Sequence, residues 1–192
     1  MKKGIITTVA IVLTMTVCCS SRTKTSKSFI NFSEEKPKLI TIWSESVSEG
    51  KKVVGKLTCR DEISVGFAQT GVDVTIYHKK VGNIITSLEA GYVEVYEYDF
   101  DNDGQEEIMV FSAPSLDDFS LTVQVFRYSN GLLEKVGKFQ EFTKEFILKK
   151  NRFSYIFGGA FLRSRDYIYE DGSFFELVYH DPNAEDSEEI LY

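Results

Sequence analysis

The chain has 192 residues, of which 43% are hydrophobic, 14% aromatic and 27% charged, and it contains only 3 prolines. This composition is typical of a folded domain with one sizeable core, and it excludes a disordered chain, a collagen-like chain and a multi-span membrane protein. Lysine and arginine number 22 against 29 acidic residues, a formal net charge of −7. No basic footprint for nucleic acid is therefore visible.

The amino terminus has the pattern of an export signal. Met1–Lys3 is basic, and Gly4 to Val17 is apolar except for four threonines. This pattern predicts the n-region and h-region of a secretory signal peptide. The apolar stretch ends at Cys18-Cys19, short of the roughly 20 residues that a permanent membrane span needs.

Two adjacent cysteines after an apolar stretch resemble the cleavage site of bacterial lipoproteins, where a cysteine becomes the first mature residue and carries the lipid. The resemblance implies that Cys18 or Cys19 is lipidated, with ordinary cleavage and release as the alternative. In either case we expect an exported protein, periplasmic or anchored at the outer membrane as a lipoprotein. The membrane is then contacted through the lipid alone.

Composition divides the chain into three parts. Residues 1–18 form the predicted signal peptide, residues 19–37 a polar tether, and residues 38–192 a single β-rich domain. The tether is predicted because Ser20 to Ser28 contains no apolar residue that could join a core.

Beyond Lys38, apolar and polar residues alternate with period two, which predicts short strands rather than helices. Cys59 ends one of these stretches, and we expect its side chain to face the core beside Leu57. The predicted strands are Leu39–Trp43, Val53–Cys59, Val72–Tyr77, Tyr92–Tyr98, Glu107–Phe111 and Leu121–Tyr128.

Two hairpins are predicted by their turn residues. Asn130-Gly131 and Asp171-Gly172 each separate two apolar stretches, and both pairs tolerate the positive φ angles of a type I′ turn. Helical spacing is confined to Phe139–Lys150, where four apolar residues recur every three or four positions. The expected fold is mainly β, built of antiparallel hairpins and meanders as a sandwich or partial propeller, with at most one short helix.

One acidic loop carries the sharpest motif. Its side chains alternate as they do in a calcium loop, where a tightly curled backbone points every second residue toward one hard cation. Gly104 stands at position 6, where the curl needs unusual dihedral angles. The predicted metal ligands are the acids at positions 1, 3, 5 and 9 and the carbonyl-bearing residue at position 7: Asp99, Asp101, Asp103, Glu107 and Gln105.

The loop differs from a helix-loop-helix sensor. Position 12, which is glutamate in such sensors, is Val110 within a predicted strand, and neither flank has helical spacing. The sequence therefore predicts a strand-loop-strand site for Ca²⁺ with a structural role. A solvated acidic turn without specific binding is the alternative.

The stretch Val93–Val110 resembles the calcium loops of FG-GAP and VCBS repeats, which place an acidic loop and a glycine before an aliphatic strand. Together with the run to Gly131 and the segment Tyr167–Phe174, it also resembles small exported calcium-binding lipoproteins that inhibit lysozyme-type effectors. The resemblance implies a calcium-stabilised β protein that acts by binding, as an inhibitor or immunity factor against an envelope-targeting enzyme.

No catalytic residue is predicted. His78 and His180 are the only histidines, and no metalloprotease, nucleophile-elbow or phosphate-loop motif occurs. We therefore expect a binding protein rather than an enzyme, with a protein partner such as a lysozyme-like or other toxin enzyme. A secreted hydrolase, for example one pairing Cys59 with a histidine, stays open.

The other alternative is an adhesive or glycan-binding envelope module. Such a module needs exposed aromatic rings on which sugars can stack. The candidate aromatic residues are Trp43, Tyr92, Tyr96, Tyr98, Tyr167 and Tyr169.

Overall fold

The computed structural model describes residues 28–118, 120–141, 143–157 and 163–177. The predicted signal peptide, the candidate lipidation residues Cys18 and Cys19, the first part of the tether and His180 lie outside the described residues. The described chain is mainly β, as the sequence predicts, with antiparallel sheets and one short helix.

Three consecutive four-stranded antiparallel meanders build the fold. Ahead of them come β1 (Asn31–Glu34), β2 (Lys38–Ser44) and the helix α1 (Glu45–Ser48). The first sheet consists of β3 (Val53–Lys56), β4 (Glu62–Ala68), β5 (Gly71–His78) and β6 (Val81–Leu88). The central sheet contains β7 (Tyr92–Tyr98), β8 (Glu107–Ala113), β9 (Leu121–Ser129) and β10 (Leu132–Glu141). The third sheet contains β11 (Glu145–Lys149), β12 (Arg152–Phe157), β13 (Arg163–Glu170) and β14 (Ser173–Leu177).

The two early strands widen two of these sheets. β2 pairs antiparallel with β7 at the edge of the central sheet. β1 runs parallel to β11 at the edge of the third sheet. The chain therefore contributes one strand to the third sheet and one to the central sheet before it forms the first sheet.

Two neighbouring strands of the central sheet, β7 and β8, are covered on both faces, and every residue of theirs is buried. Because side chains alternate along a strand, Val93 and Val95 enter a core shared with the first sheet, whereas Tyr96 and Tyr98 enter a core shared with the third. The core against the first sheet is aliphatic around Trp43, and the core against the third sheet is largely aromatic.

Both predicted hairpins are confirmed. Asn130 and Gly131 connect β9 to β10 with φ angles of 51° and 83°. Asp171 and Gly172 connect β13 to β14 with φ angles of 49° and 78°. Two successive positive φ angles are the signature of a type I′ turn, whose twist matches that of the flanking strands.

The helical interpretation of Phe139–Lys150 is wrong. Its residues 139–141 end β10, and its residues 145–149 form β11. Phe139 and Phe146 both face the aromatic core, but from two different sheets. Their helix-like spacing arises because the chain crosses from one sheet to the next between them.

The short helix forms elsewhere, at Glu45–Ser48. Ser44 caps it, because its side chain accepts a hydrogen bond from the backbone N–H of Val47. In the portion of the chain that the structure describes, no helix has the length and apolar character needed to span a membrane.

The expectation for Cys59 is also wrong. β3 ends at Lys56, and Cys59 is exposed in the following turn. This turn is closed by hydrogen bonds from Leu57 N to Asp61 O and from Arg60 N to Leu57 O, each 3.0 Å long. Leu57 itself is buried, so the alternation of buried and exposed side chains holds as far as Leu57 and does not reach Cys59.

The predicted boundary between tether and domain lies too far along the chain. Ile30 is only 4% exposed, and β1 falls within residues 19–37, which were predicted to be a tether. The folded domain therefore includes residues from Ile30 onward. The sequence Ile30-Asn31-Phe32 is too short a pattern to reveal a strand whose partner, β11, lies more than 100 residues later.

Glu94 fixes this early segment to the central sheet. Its side chain is fully buried, and its Oε1 accepts a hydrogen bond of 2.8 Å from the backbone N–H of Phe29. Ser28 donates to Oε2 at 2.8 Å, and the hydroxyls of Tyr92 and Tyr96 also donate to the carboxylate. Burial, followed by the interaction with Glu94, raises the pKa values of both tyrosines.

We expect Glu94→Ala to lower the free energy of unfolding by about 2–4 kcal/mol, because it leaves several buried donors without an acceptor. Urea unfolding followed by fluorescence measures the change. Glu62→Ala, at an exposed strand position, is the matched control and should stay within about 0.5 kcal/mol of the wild type. Equal losses in the two variants would contradict the role assigned to Glu94.

Candidate metal centre

The acidic loop connects β7 to β8 at one end of the central sheet. Phe100 fixes it, because this side chain is fully buried in a pocket of aromatic rings. Its ring centroid lies 4.8 Å from that of Tyr98, 5.6 Å from that of Tyr169 and 5.0 Å from that of Phe174. The loop is therefore packed against the third sheet and does not hang free in solvent.

Backbone contacts hold the loop from the same side. The N–H of Asn151 donates to the carbonyl of Phe100 at 2.8 Å, and the N–H of Tyr169 donates to the carbonyl of Asn151 at 2.9 Å. Lys150 Nζ donates to the carbonyl of Asp99 at 3.1 Å. The turn between β11 and β12 thus fixes the start of the acidic loop.

The three aspartates of the loop converge. One carboxylate oxygen from each of Asp99, Asp101 and Asp103 lies within 4.8 Å of the other two. Three backbone N–H groups orient them: Gly104 donates to Asp99 at 3.2 Å, Asp103 to Asp101 at 3.2 Å, and Gln105 to Asp103 at 2.7 Å. The loop is curled so that alternate acids meet, as the sequence predicts.

Two residues with positive φ produce this curl, Asn102 at 61° and Gly104 at 85°. A Cβ on Gly104 would meet no heavy atom within 4 Å. Glycine is therefore favoured at this position by its dihedral angle and not by lack of space.

An unsatisfied oxygen points to a role for the cluster. Asp99 Oδ1 is buried and has no hydrogen-bond partner among the described residues. Buried carboxylate oxygens are normally satisfied by a donor or a cation. Together with two further carboxylates it forms a set of hard oxygen donors, the kind that Ca²⁺ and Mg²⁺ prefer. The donor set therefore fits a hard divalent cation.

Glu107 lies apart from this cluster. It is 1% exposed; its Oε2 accepts from the N–H of Phe100 at 3.0 Å, and its Oε1 accepts from the hydroxyl of Tyr169 at 3.1 Å. Burial raises the pKa of Glu107 to about 7, against the hydrogen bonds, which lower it. The structure thus brings three of the five predicted ligands together and turns Glu107 toward the third sheet.

Gln105 is exposed beside the cluster. Its side-chain Nε2 lies 3.5 Å from Asp103 Oδ2, so the amide faces the same carboxylate as its backbone N–H. The side chain of Gln105 thus presents an N–H donor toward the cluster, whereas the sequence analysis expected it to offer a carbonyl oxygen.

Arg127 on β9 is a member of the site that the sequence analysis did not find. Its Nη2 lies 3.2 Å from Asp101 Oδ2 and 2.7 Å from the hydroxyl of Tyr169, and its Nε lies 3.8 Å from Glu107 Oε1. No local signal marks Arg127, because the loop and β9 meet only through the pairing of the central sheet.

His78, one of the two histidines considered as a partner for Cys59, is hydrogen-bonded to Asp61. His78 Nδ1 lies 2.8 Å from Asp61 Oδ2, and the hydroxyl of Tyr128 donates to the same oxygen. Partial desolvation of the Cys59 thiol raises its pKa, and the negative charges of Asp61 and Glu97 add to the rise. A raised pKa disfavours the thiolate that a nucleophile requires.

Cys59 lines a cleft of about 280 Å³ between the acidic loop and the end of β9. Its floor includes Glu97, which already accepts hydrogen bonds from Thr58 N at 2.9 Å and from Lys38 Nζ at 2.9 Å. The carboxylate in the cleft is thus engaged in holding the turn after β3.

The aromatic residues considered for sugar stacking are all buried. Their exposed fractions run from 0% for Trp43 to 8% for Tyr98. A glycan site built on these rings is therefore contradicted. The same residues instead form much of the packing between sheets, since Trp43 contributes to one core and four of the tyrosines to the other.

Comparison with protein families, with curated proteins and with solved structures finds no match to this chain.

Proposed function

We propose that the chain is a calcium-stabilised envelope protein that acts by binding and not by catalysis. The observation that carries the calcium proposal is the convergence of Asp99, Asp101 and Asp103 within 4.8 Å of one another. Asp99 supplies a buried oxygen that has no hydrogen-bond donor among the described residues. These three carboxylates would hold the cation, with Gln105 adjacent to them.

Glu107 has a different part in this proposal. Its oxygens are engaged by Phe100 and Tyr169, so it fixes the loop from within and is not one of the ligands. A bound divalent cation supplies positive charge that offsets the repulsion among the carboxylates. Each close pair of like charges costs on the order of 1–4 kcal/mol, depending on the effective dielectric constant.

We expect 1 mM Ca²⁺, roughly tenfold above a Kd of about 10⁻⁴ M, to stabilise the protein by about 1.4 kcal/mol. This gain corresponds to a rise in melting temperature of about 3–6 °C for a domain of this size. Differential scanning calorimetry with and without Ca²⁺ measures the rise. Asp101→Ala/Asp103→Ala should abolish it.

A second pair of acids gives a matched control for charge. Asp117→Ala/Asp118→Ala removes two carboxylates from the turn between β8 and β9, and should keep the calcium-dependent rise. Identical melting temperatures of the wild type with and without Ca²⁺ would refute the calcium site. An equal loss of the rise in both double variants would show a general charge effect instead.

The proposed role in the envelope is to bind a protein, as an inhibitor or immunity factor against a lysozyme-like or other toxin enzyme. Support comes from the predicted export signal, the resemblance of the loop and hairpins to lysozyme-inhibiting lipoproteins, and the net charge of −7. An acidic protein attracts basic partners over several ångströms and raises their association rate. The burial of the candidate aromatic rings removes the main support for glycan binding.

We expect the purified protein to slow the lysis of peptidoglycan by a basic muramidase. A turbidity assay at increasing molar ratios of protein to enzyme measures the effect, and added salt should weaken it because long-range attraction is screened. The heat-unfolded protein is the control. An unchanged lysis rate at tenfold excess of the folded protein would contradict inhibition of that class of enzyme.

The anchor is proposed to be a lipid on Cys18 or Cys19. Metabolic labelling with a radioactive fatty acid should mark the wild type, and either Cys18→Ser or Cys19→Ser should lose the label. Labelling that persists in both single variants and in the double variant would exclude acylation at these residues.

A further inference from the structure

We propose that Arg127 is the protein's own counter-cation for the acidic loop, and that it sets how tightly the loop takes a divalent cation. This inference rests on the proposed calcium site. It assigns to a residue outside the loop the control of cation affinity, which the loop sequence does not reveal.

The position of Arg127 is fixed on several sides. Its Nη2 binds Asp101 at 3.2 Å and Tyr169 at 2.7 Å. From above, the turn between β13 and β14 closes over it, since a Cβ on Gly172 would lie 2.7 Å from its Nη1. The guanidinium is therefore held at the edge of the carboxylate cluster, although 34% of the side chain is exposed.

One donor of the Arg127 guanidinium lacks a hydrogen-bond partner among the described residues. Its Nε is buried without a hydrogen-bond partner among the described residues, and the nearest carboxylate oxygen, on Glu107, is 3.8 Å away. A guanidinium can form five hydrogen bonds. An unsatisfied buried donor costs free energy, so the attraction of the positive charge to the acids has to offset that cost.

The positive charge of Arg127 also opposes the binding of a divalent metal ion by the aspartates. Asp101 is shared, because one of its oxygens pairs with Arg127 and its carboxylate also belongs to the cluster of three aspartates. A divalent ion bound to the cluster is repelled by the guanidinium and draws on a carboxylate that is already partly neutralised. Lys150, another cation at the loop, donates to the backbone carbonyl of Asp99 and lies over the ring of Tyr98, and no ion pair joins it to a carboxylate among the described residues.

Removing the charge of Arg127 should therefore strengthen cation binding. We expect Arg127→Gln to bind Ca²⁺ about tenfold more tightly than the wild type in isothermal titration calorimetry of the full chain. Arg127→Lys, which keeps a positive charge, should stay within about threefold of the wild type. Arg165→Gln removes one positive charge from the third sheet, outside the loop, and should change the affinity less than twofold.

A second neutral variant guards against loss of folding. Arg127→Met keeps the apolar stem of the side chain, and should also bind Ca²⁺ about tenfold more tightly. Circular dichroism before each titration confirms that the variant is folded. The two neutral variants together thus separate the effect of charge from the effect of the amide group.

The outcomes separate this inference from the calcium proposal. Tighter binding of Ca²⁺ by both neutral variants than by the wild type supports the inference. If only the neutral variants bind Ca²⁺, the inference is still supported, but the calcium proposal for the natural chain is overturned. Equal or weaker binding by the neutral variants than by the wild type overturns the inference alone. Absence of Ca²⁺ binding in every variant overturns both.

Discussion

The constraint on which the structure depends is that two neighbouring strands of the central sheet, β7 and β8, have no solvent-exposed face. β7 and β8 are buried along their whole length, yet they carry three glutamates, Glu94, Glu97 and Glu107, which are 0%, 4% and 1% exposed. A buried carboxylate is tolerated only where donors or cations surround it. Each of these side chains therefore has to draw a partner from another part of the chain.

The partners come from three different places. Glu94 binds the segment before β1 through Ser28 and Phe29. Glu97 binds Thr58 in the turn after β3, and it also binds the side chain of Lys38 at the start of β2. Glu107 binds the acidic loop and, through Tyr169, the third sheet. The buried glutamates of the central sheet thus specify which segments pack against it. Hydrogen bonds to a carboxylate are more selective in this respect than apolar contacts.

The features predictable from the sequence are those with local causes. The two hairpins and the curled acidic loop follow from residues that tolerate positive φ and from the spacing of carboxylates. The expected burial of Cys59 and the expected helix over Phe139–Lys150 are wrong because the pattern of apolar residues does not show where a strand ends or in which sheet the chain continues. Arg127 could not be found, because only the pairing of β8 with β9 brings it to the loop.

The position of the acidic loop determines what a cation there would stabilise. Phe100, the second residue of the loop, is buried among rings from the third sheet, and its carbonyl accepts a hydrogen bond from Asn151 in the turn after β11. Ordering of the loop is therefore inseparable from the packing of the third sheet on the central one. The aliphatic core against the first sheet lies on the opposite face and shares none of these contacts. A cation bound by the aspartates would accordingly act on one of the two interfaces between sheets, the aromatic one, and leave the other to its apolar packing.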